Sequence, residues 1–281
     1  MEKRGLIMEG GAMRGMFTCG VIDVLMENGI TFDGAVGVSA GVTFGCNYKS
    51  KQIGRAIRYN KKYINDKRYC SLKNLLTTGD LFGTKFCYET LPFELDLFDT
   101  DTFKNNPMEF YTVATDAETG KPVYCKLTDA GKRDMDWIRA SASIPMLANV
   151  VEFDGYKLLD GGISDSIPVK FMEKKGYNKN VAILTRPFGY VKKKEFTWLA
   201  QVLLRKYPNM IEAMENRPIM YNETLDYIRK CELEGKLFVI RPPKSMSISN
   251  LTKDPEELEK AYVIGRETME KRLDDLRKYL G

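Results

Sequence analysis

Short apolar runs of strand length alternate with longer helical patterns along most of this chain. Residues 5–8 form one such run, followed by a glycine-rich loop and a helical pattern over residues 16–27, with Gly29 suited to the position just past the helix end. Residues 32–38 supply a second buried strand ending at Ser39, and residues 40–48 are small and apolar enough for a helix that starts directly at the serine. Strand, loop, helix, strand, sharp turn, helix predicts an α/β fold with a parallel sheet. Residues 52–98 are polar and mixed, and read as helices and loops, in no evident order, built around this first unit. Residues 110–115 and 122–127 flank a polar turn and predict a hairpin. A helix is expected over 134–143, stopped by Pro145, and a second hairpin, 150–153 with 156–159, delivers Asp160 at its end. Two further buried strands, 181–184 and 237–240, bracket a largely helical stretch, and a long charged helix over 255–280 closes the pattern. Without an internal repeat or a Pro/Gly linker, the pattern favours a single domain over residues 1–281.

Composition narrows the chemistry more than it alters this picture. The 281 residues are 43% hydrophobic and 29% charged, the range of a folded globular protein. A net charge of +5 is too mild to imply nucleic-acid binding without a concentrated patch. Histidine is absent altogether, which removes Ser-His-Asp triads, Cys-His dyads and His-ligated zinc from what this chain can build alone. The six cysteines never form a C-x-x-C pair, so neither a metal cluster nor a disulfide framework is expected. The glycine loop begins within ten residues of Met1, leaving no apolar h-region, and no run of 18 apolar residues occurs. A reducing cytosol is the expected compartment.

Two glycine-rich strings carry the chemistry. Gly37-Val38-Ser39-Ala40-Gly41 is a G-x-S-x-G string placed at a strand-to-helix turn, at the carboxyl end of the sheet where open α/β folds bind ligands. Flanking glycines tolerate the strained backbone that pushes a serine oxygen outward, and the following helix brings its positive end to developing negative charge. The alternative is a tight turn in which Ser39 merely caps a helix. The loop from Gly10 to Gly15 could cradle a nucleotide phosphate, but Ala12 stands where G-x-G-x-x-G needs its second glycine and no Lys-Ser/Thr follows. Its other readings are an oxyanion hole, which the nearby G-x-S-x-G favours, or a turn that lets a helix pack closely. A nucleophilic serine here requires Asp, Glu, Lys or Tyr as its base. Asp160 stands out, because it ends a strand and precedes Gly161-Gly162. Taken alone it reads equally well as an Asp-Gly turn residue, and a Ser-Lys pair is the chemical rival, although neither string contains a lysine.

Three motifs in order, Glu9-Gly10-Gly11-Ala12-Met13-Arg14-Gly15, the Ser39 string, and Asp160-Gly161-Gly162-Ile163-Ser164-Asp165-Ser166-Ile167-Pro168, resemble the patatin-like phospholipases. Ala140-Ser141-Ala142-Ser143-Ile144-Pro145 resembles the segment that family carries ahead of its aspartate. The resemblance spans roughly residues 5–170, with the motif-bearing core extending to about 190 and residues 191–281 matching less clearly. It implies a three-layer α/β/α sandwich with a mostly parallel central sheet and a Ser-Asp dyad that works without histidine. By this likeness Ser39 is the nucleophile, Asp160 the base, and the amides of Gly10, Gly11 and Ala12 the oxyanion hole, helped by Arg14. Gly15, Gly37, Gly41, Gly161 and Gly162 support the motifs. Ala12 replaces the third loop glycine, and Asp165 takes a place often held by Asn.

The expected activity is therefore hydrolysis of lipid carboxylic esters, of phospholipase A or lysophospholipase type, through an acyl-enzyme and without cofactor or metal. An acyltransferase using the same acyl-enzyme and a catalytically silent lipid-binding protein are the alternatives. The expected partner is a lipid or other acyl ester, not nucleic acid; peripheral membrane contact and self-association stay open. Residues 191–207 mix lysines, aromatics and aliphatics that could dock on an anionic lipid surface, but the favoured expectation is an amphipathic helix packed on the core. The closing helix is expected to be a solvated surface helix, with a dimer seam as its alternative.

Overall fold

The structure, a computed structural model, describes residues 2–194 and 198–281. In chain order it runs β1 (Arg4–Met8), α1 (Gly15–Glu27), β2 (Gly34–Val38), α2 (Ala40–Lys49), α3 (Arg55–Tyr63), α4 (Leu72–Thr78), α5 (Thr100–Asn105), β3 (Glu109–Asp116) and β4 (Pro122–Leu127). It continues with α6 (Lys132–Ser141), β5 (Val151–Phe153), β6 (Tyr156–Asp160), α7 (Val169–Lys174), β7 (Lys179–Ile183), α8 (Trp198–Leu203), α9 (Pro208–Leu233), β8 (Leu237–Ile240) and α10 (Pro255–Leu280). A π-type helix, Phe86–Leu95, and short 3-10 turns at Ala12–Arg14 and Gly161–Ile163 complete it.

The sheet orders its strands β5-β6-β3-β2-β1-β7-β8, with β4 beside β3. The central pairings β3-β2-β1-β7-β8 are parallel, and β4, β5 and β6 join antiparallel. Side chains alternate across it as strand geometry requires. Leu6 and Met8 of β1 face a core shared with α1, α2, α6 and α10, whereas Ile7 faces a second core with α7 and α9. Two helical layers thus enclose a mostly parallel sheet, the sandwich expected from the sequence.

The last segment is built into this core. β8 pairs in parallel with β7, and α10 lies along α1 at a crossing that only glycine permits. A Cβ on Gly20 would sit 2.1 Å from the carbonyl oxygen of Tyr262, and one on Gly265 2.1 Å from that of Phe17. Leu258, Ala261, Met269, Leu276 and Leu280 bury one face of α10. The closing helix is therefore half-buried, where the sequence suggests a solvated one: its Glu, Lys and Arg residues mask an apolar stripe at i, i+3, i+4 spacing.

α8 departs from expectation in the opposite direction. Of its six residues only Ala200 is buried, while Trp198, Leu199, Val202 and Leu203 face outward. The packed amphipathic helix expected over this stretch is reduced, across the described residues, to the short α8, held on the core by Ala200 with Leu204 buried just beyond it; Glu195, Phe196 and Thr197 lie outside them. Among the described residues no helix is long and apolar enough to cross a membrane.

Candidate active site

The sheet register brings Ser39 and Asp160 together. β4 occupies one edge of β3 from Phe110 to Thr115, so β2 and β6 must share the other edge. β2 runs parallel to β3 and ends with Val38 opposite Val113; β6 runs antiparallel and ends with Asp160 opposite Ala114. Two strands therefore meet end to end on one edge, and the residues at their tips converge. Ser39 Oγ donates to Asp160 Oδ2 at 2.6 Å, and both residues are buried.

Local backbone geometry fixes each partner. Ser39 has φ 54° and ψ −121°, a conformation that costs a non-glycine residue about 1–3 kcal/mol and persists only where its surroundings impose it. A Cβ on Gly37 would lie 2.5 Å from the Gly41 carbonyl oxygen, and one on Gly41 2.3 Å from that of Met8, so both flanking glycines are dictated by contact with backbone. The Ser39 amide donates to Ser141 Oγ at 2.9 Å. Asp160 is held by its own amide, which donates to the Ser143 carbonyl at 2.9 Å, and by its carbonyl, which accepts from Thr115 Oγ1 at 2.8 Å. Its second carboxylate oxygen, Oδ1, accepts from the Gly162 amide at 2.8 Å, leaving Oδ2 to face the serine.

The glycine loop packs directly on this pair. A Cβ on Gly10 would come within 3.1 Å of Ser39 Cβ. Among the described residues nothing accepts a hydrogen bond from the amides of Gly10, Gly11 or Ala12, so this backbone stretch beside the serine presents three uncommitted donors. Ala12 has φ 49°, the left-handed region that glycine adopts at no steric cost. Arg14 turns its guanidinium to Asn250 Oδ1, and burial together with the neighbouring Arg186 lowers its pKa. Gly15 sits where the loop enters α1, close against Phe44 and Ala40.

Three groups outside the predicted set hold the site. Glu9 is buried just before the loop and accepts from the Thr185 amide, Thr185 Oγ1 and Tyr221 hydroxyl, tying the loop to β7 and α9. Burial raises its pKa against these hydrogen bonds. Ser141 fixes the nucleophile's amide, as described. Arg217 on α9 acts electrostatically on Asp160: burial raises the Asp160 pKa, and the Ser39 hydroxyl, the Arg217 guanidinium and the Gly162 amide partly offset that rise. A polar residue wedged between an apolar strand and a glycine loop was a readable signal for Glu9. Arg217, 57 residues beyond Asp160 along the chain, left none.

Ser39 opens into a cavity of about 120 Å³. Its walls are mostly apolar and aromatic, among them Phe44, Tyr59, Tyr69, Phe82, Tyr88, Leu91, Phe98, Ile138 and Leu147. Asp165 lies beyond the dyad and accepts from the Tyr124 hydroxyl at 2.6 Å, with burial raising its pKa.

A family described as patatin-like phospholipase matches residues 6–172, and a domain-of-unknown-function family, DUF6363, matches residues 207–281. The Escherichia coli K12 protein described as uncharacterized protein YjjU is 29% identical over 277 residues, covering 93% of this chain and 74% of that protein. Lysophospholipase NTE1 of Meyerozyma guilliermondii is 31% identical over 196 residues, which is 65% of this chain but 12% of that much longer protein. The crystal structure of VipD from Legionella pneumophila superposes with a TM-score of 0.48 at 12% identity, covering 98% of this chain and 67% of that one. The patatin-like match takes in the glycine loop, Ser39, Asp160 and more than half the chain, and the protein belongs to the patatin-like phospholipase family of carboxylic ester hydrolases.

Proposed function

We propose that the protein hydrolyses carboxylic esters of lipids by a Ser39-Asp160 dyad, with phospholipids or lysophospholipids as substrates. The observation that carries this reading is the 2.6 Å hydrogen bond from Ser39 Oγ to Asp160 Oδ2, with Ser39 lining an apolar cavity. Asp160 accepts the serine proton as Oγ attacks the ester carbonyl, and the amides of Gly10, Gly11 and Ala12 receive the oxyanion. Each such donor contributes about 3–4 kcal/mol in comparable sites. Arg14 adds positive charge behind the loop. Collapse breaks the ester C–O bond, and the departing alcohol takes the proton from Asp160. Water then gives its proton to Asp160 and attacks the acyl-Ser39 carbonyl; collapse returns the proton to Ser39 Oγ and frees the fatty acid. Burial serves this cycle, because a carboxylate with a raised pKa is a stronger base than an ordinary one.

The apolar aromatic lining favours an acyl chain over a polar acid portion. Hydrolysis of p-nitrophenyl esters of graded length, with products analysed in the presence of added lysolipid, tests the reading. The expected result is turnover that rises with chain length and releases free fatty acid. Transfer of the acyl group to the lysolipid as the main product would replace hydrolase with acyltransferase. Lipid binding without turnover would leave a binding protein.

A further inference from the structure

Two apolar surfaces connect to the cavity through one stretch of its wall, and neither is explained by the chemistry inside it. On α8, Trp198, Val202 and Leu203 are 56%, 59% and 58% exposed, while Ala200, and Leu204 just beyond the helix, sit in a small core with Leu159 and Ile163, which lie on either side of Asp160 in the chain. On α4, which has no fully buried residue, Leu72 and Leu76 are 71% and 86% exposed. The stretch 144–149 ties the two surfaces together. Met146 packs on the α8 core, the Leu147 carbonyl accepts from the Leu81 amide, and Asn149 bonds to the Thr78 carbonyl at the end of α4. Ile144, Leu147 and Ala148 of that same stretch line the cavity. Exposed apolar side chains thus flank the wall of the pocket that holds Ser39.

Exposed cations lie beside both surfaces in the chain. Lys193, Lys194, Arg205 and Lys206 are exposed at either end of the α8 region, and Lys67 and Lys73 are exposed around α4. Large exposed apolar side chains with exposed Lys and Arg close by in the chain suit the boundary of an anionic bilayer, where aliphatic groups enter the acyl region and ammonium groups stay with the headgroups. A second copy of the chain fits less well, because an isologous contact through this face would set these cations against their own image.

We propose that α8 and α4 form an interfacial docking surface for anionic phospholipid bilayers, holding the cavity open to lipid in the membrane plane. The proposal rests on the lipid-ester reading of the site, and its test separates the two. The only tryptophans are Trp137, which is 2% exposed, and Trp198, so tryptophan emission reports on α8. Docking is read in the Ser39→Ala protein, where catalysis plays no part. Vesicles of phosphatidylcholine with phosphatidylglycerol are expected to shift that emission to the blue and to carry the protein to the top of a flotation gradient. Partitioning should fall at least tenfold in Val202→Asp/Leu203→Asp, and also in Leu72→Asp/Leu76→Asp. With Ser39 restored, both variants should cleave a short water-soluble ester at the wild-type rate, which also shows that they fold, and lose activity on vesicle-borne lipid. The proposal is overturned if the unaltered surface neither shifts nor floats, if the Asp variants partition undiminished, or if sedimentation shows a dimer that these variants dissolve. A protein that floats but cleaves no ester would instead sink the hydrolase reading and leave docking intact.

Discussion

Gly41→Ala tests how the serine turn and the glycine loop are locked together. The added Cβ would stand 2.9 Å from the Glu9 carbonyl oxygen, about 0.5 Å short of the 3.4 Å of ordinary contact, and 2.3 Å from that of Met8, roughly 1 Å short. Both obstacles are backbone, so no side chain can swing away; the turn and the strand leading to the glycine loop must separate by about that distance. Displacing a reacting group by about 1 Å costs on the order of a hundredfold in rate. Forcing a methyl group into a packed interior costs about 1–3 kcal/mol of stability. The variant should therefore melt several degrees lower yet remain folded at 25 °C, with kcat/KM on a p-nitrophenyl ester down about a hundredfold. Its rate of fluorophosphonate labelling should fall in parallel, since that reaction needs the same alignment. A folded Gly41→Ala protein with wild-type kcat/KM would refute the claim that this contact sets the distance between Ser39 and the loop amides.

Three further outcomes follow from the same geometry. Burial raises the Asp160 pKa, so its contribution to folding is fully present while the carboxyl is protonated, below the ordinary carboxylate range, and is lost as pH rises through the folded value; melting of Asp160→Asn should gain on wild type as pH rises out of the ordinary carboxylate range. Arg217→Gln removes a charge that holds that pKa down, so the acid limb of the kcat/KM profile should move to higher pH while the alkaline plateau persists; an unmoved limb would dissociate Arg217 from the dyad. Gly265→Ala places a Cβ 2.1 Å from the Phe17 carbonyl and should lower Tm by roughly 3–10 °C, read by differential scanning calorimetry; an unchanged Tm would mean α10 does not clamp α1 in solution.

The chain announces most of the sheet because buried strands and their turns are local patterns. The two hairpins, the strand-to-helix step at Ser39 and helix α10 fall within a few residues of where periodicity and turn chemistry place them. The convergence of Ser39 and Asp160 was legible only through motif order: their meeting depends on β2 and β6 sharing one edge of β3, a register relation that no local pattern carries. Residues 52–98 resisted ordering for a specific reason. They include a π-type helix, Phe86–Leu95, with Pro92 inside it, and its wider turn breaks the 3.6-residue period by which helices are recognised. Surface helices misled in both directions, since charge density hid the buried stripe of α10, while most apolar residues of α8 face outward and only Ala200 of that helix is buried. Arg217 reaches Asp160 only because α9 crosses the sheet, so a tertiary contact, not a motif, brings it to the site.

The most direct test of the dyad is the rate of fluorophosphonate labelling in wild type, Ser39→Ala and Asp160→Asn, with the modified residue mapped by mass spectrometry and ester turnover measured alongside. The account predicts a single adduct on Ser39 in wild type and none in Ser39→Ala. In Asp160→Asn, labelling and turnover should both slow by about 10²–10⁴-fold, the usual contribution of a general base. An adduct on another residue, or an Asp160→Asn protein that labels and turns over at the wild-type rate, would contradict it.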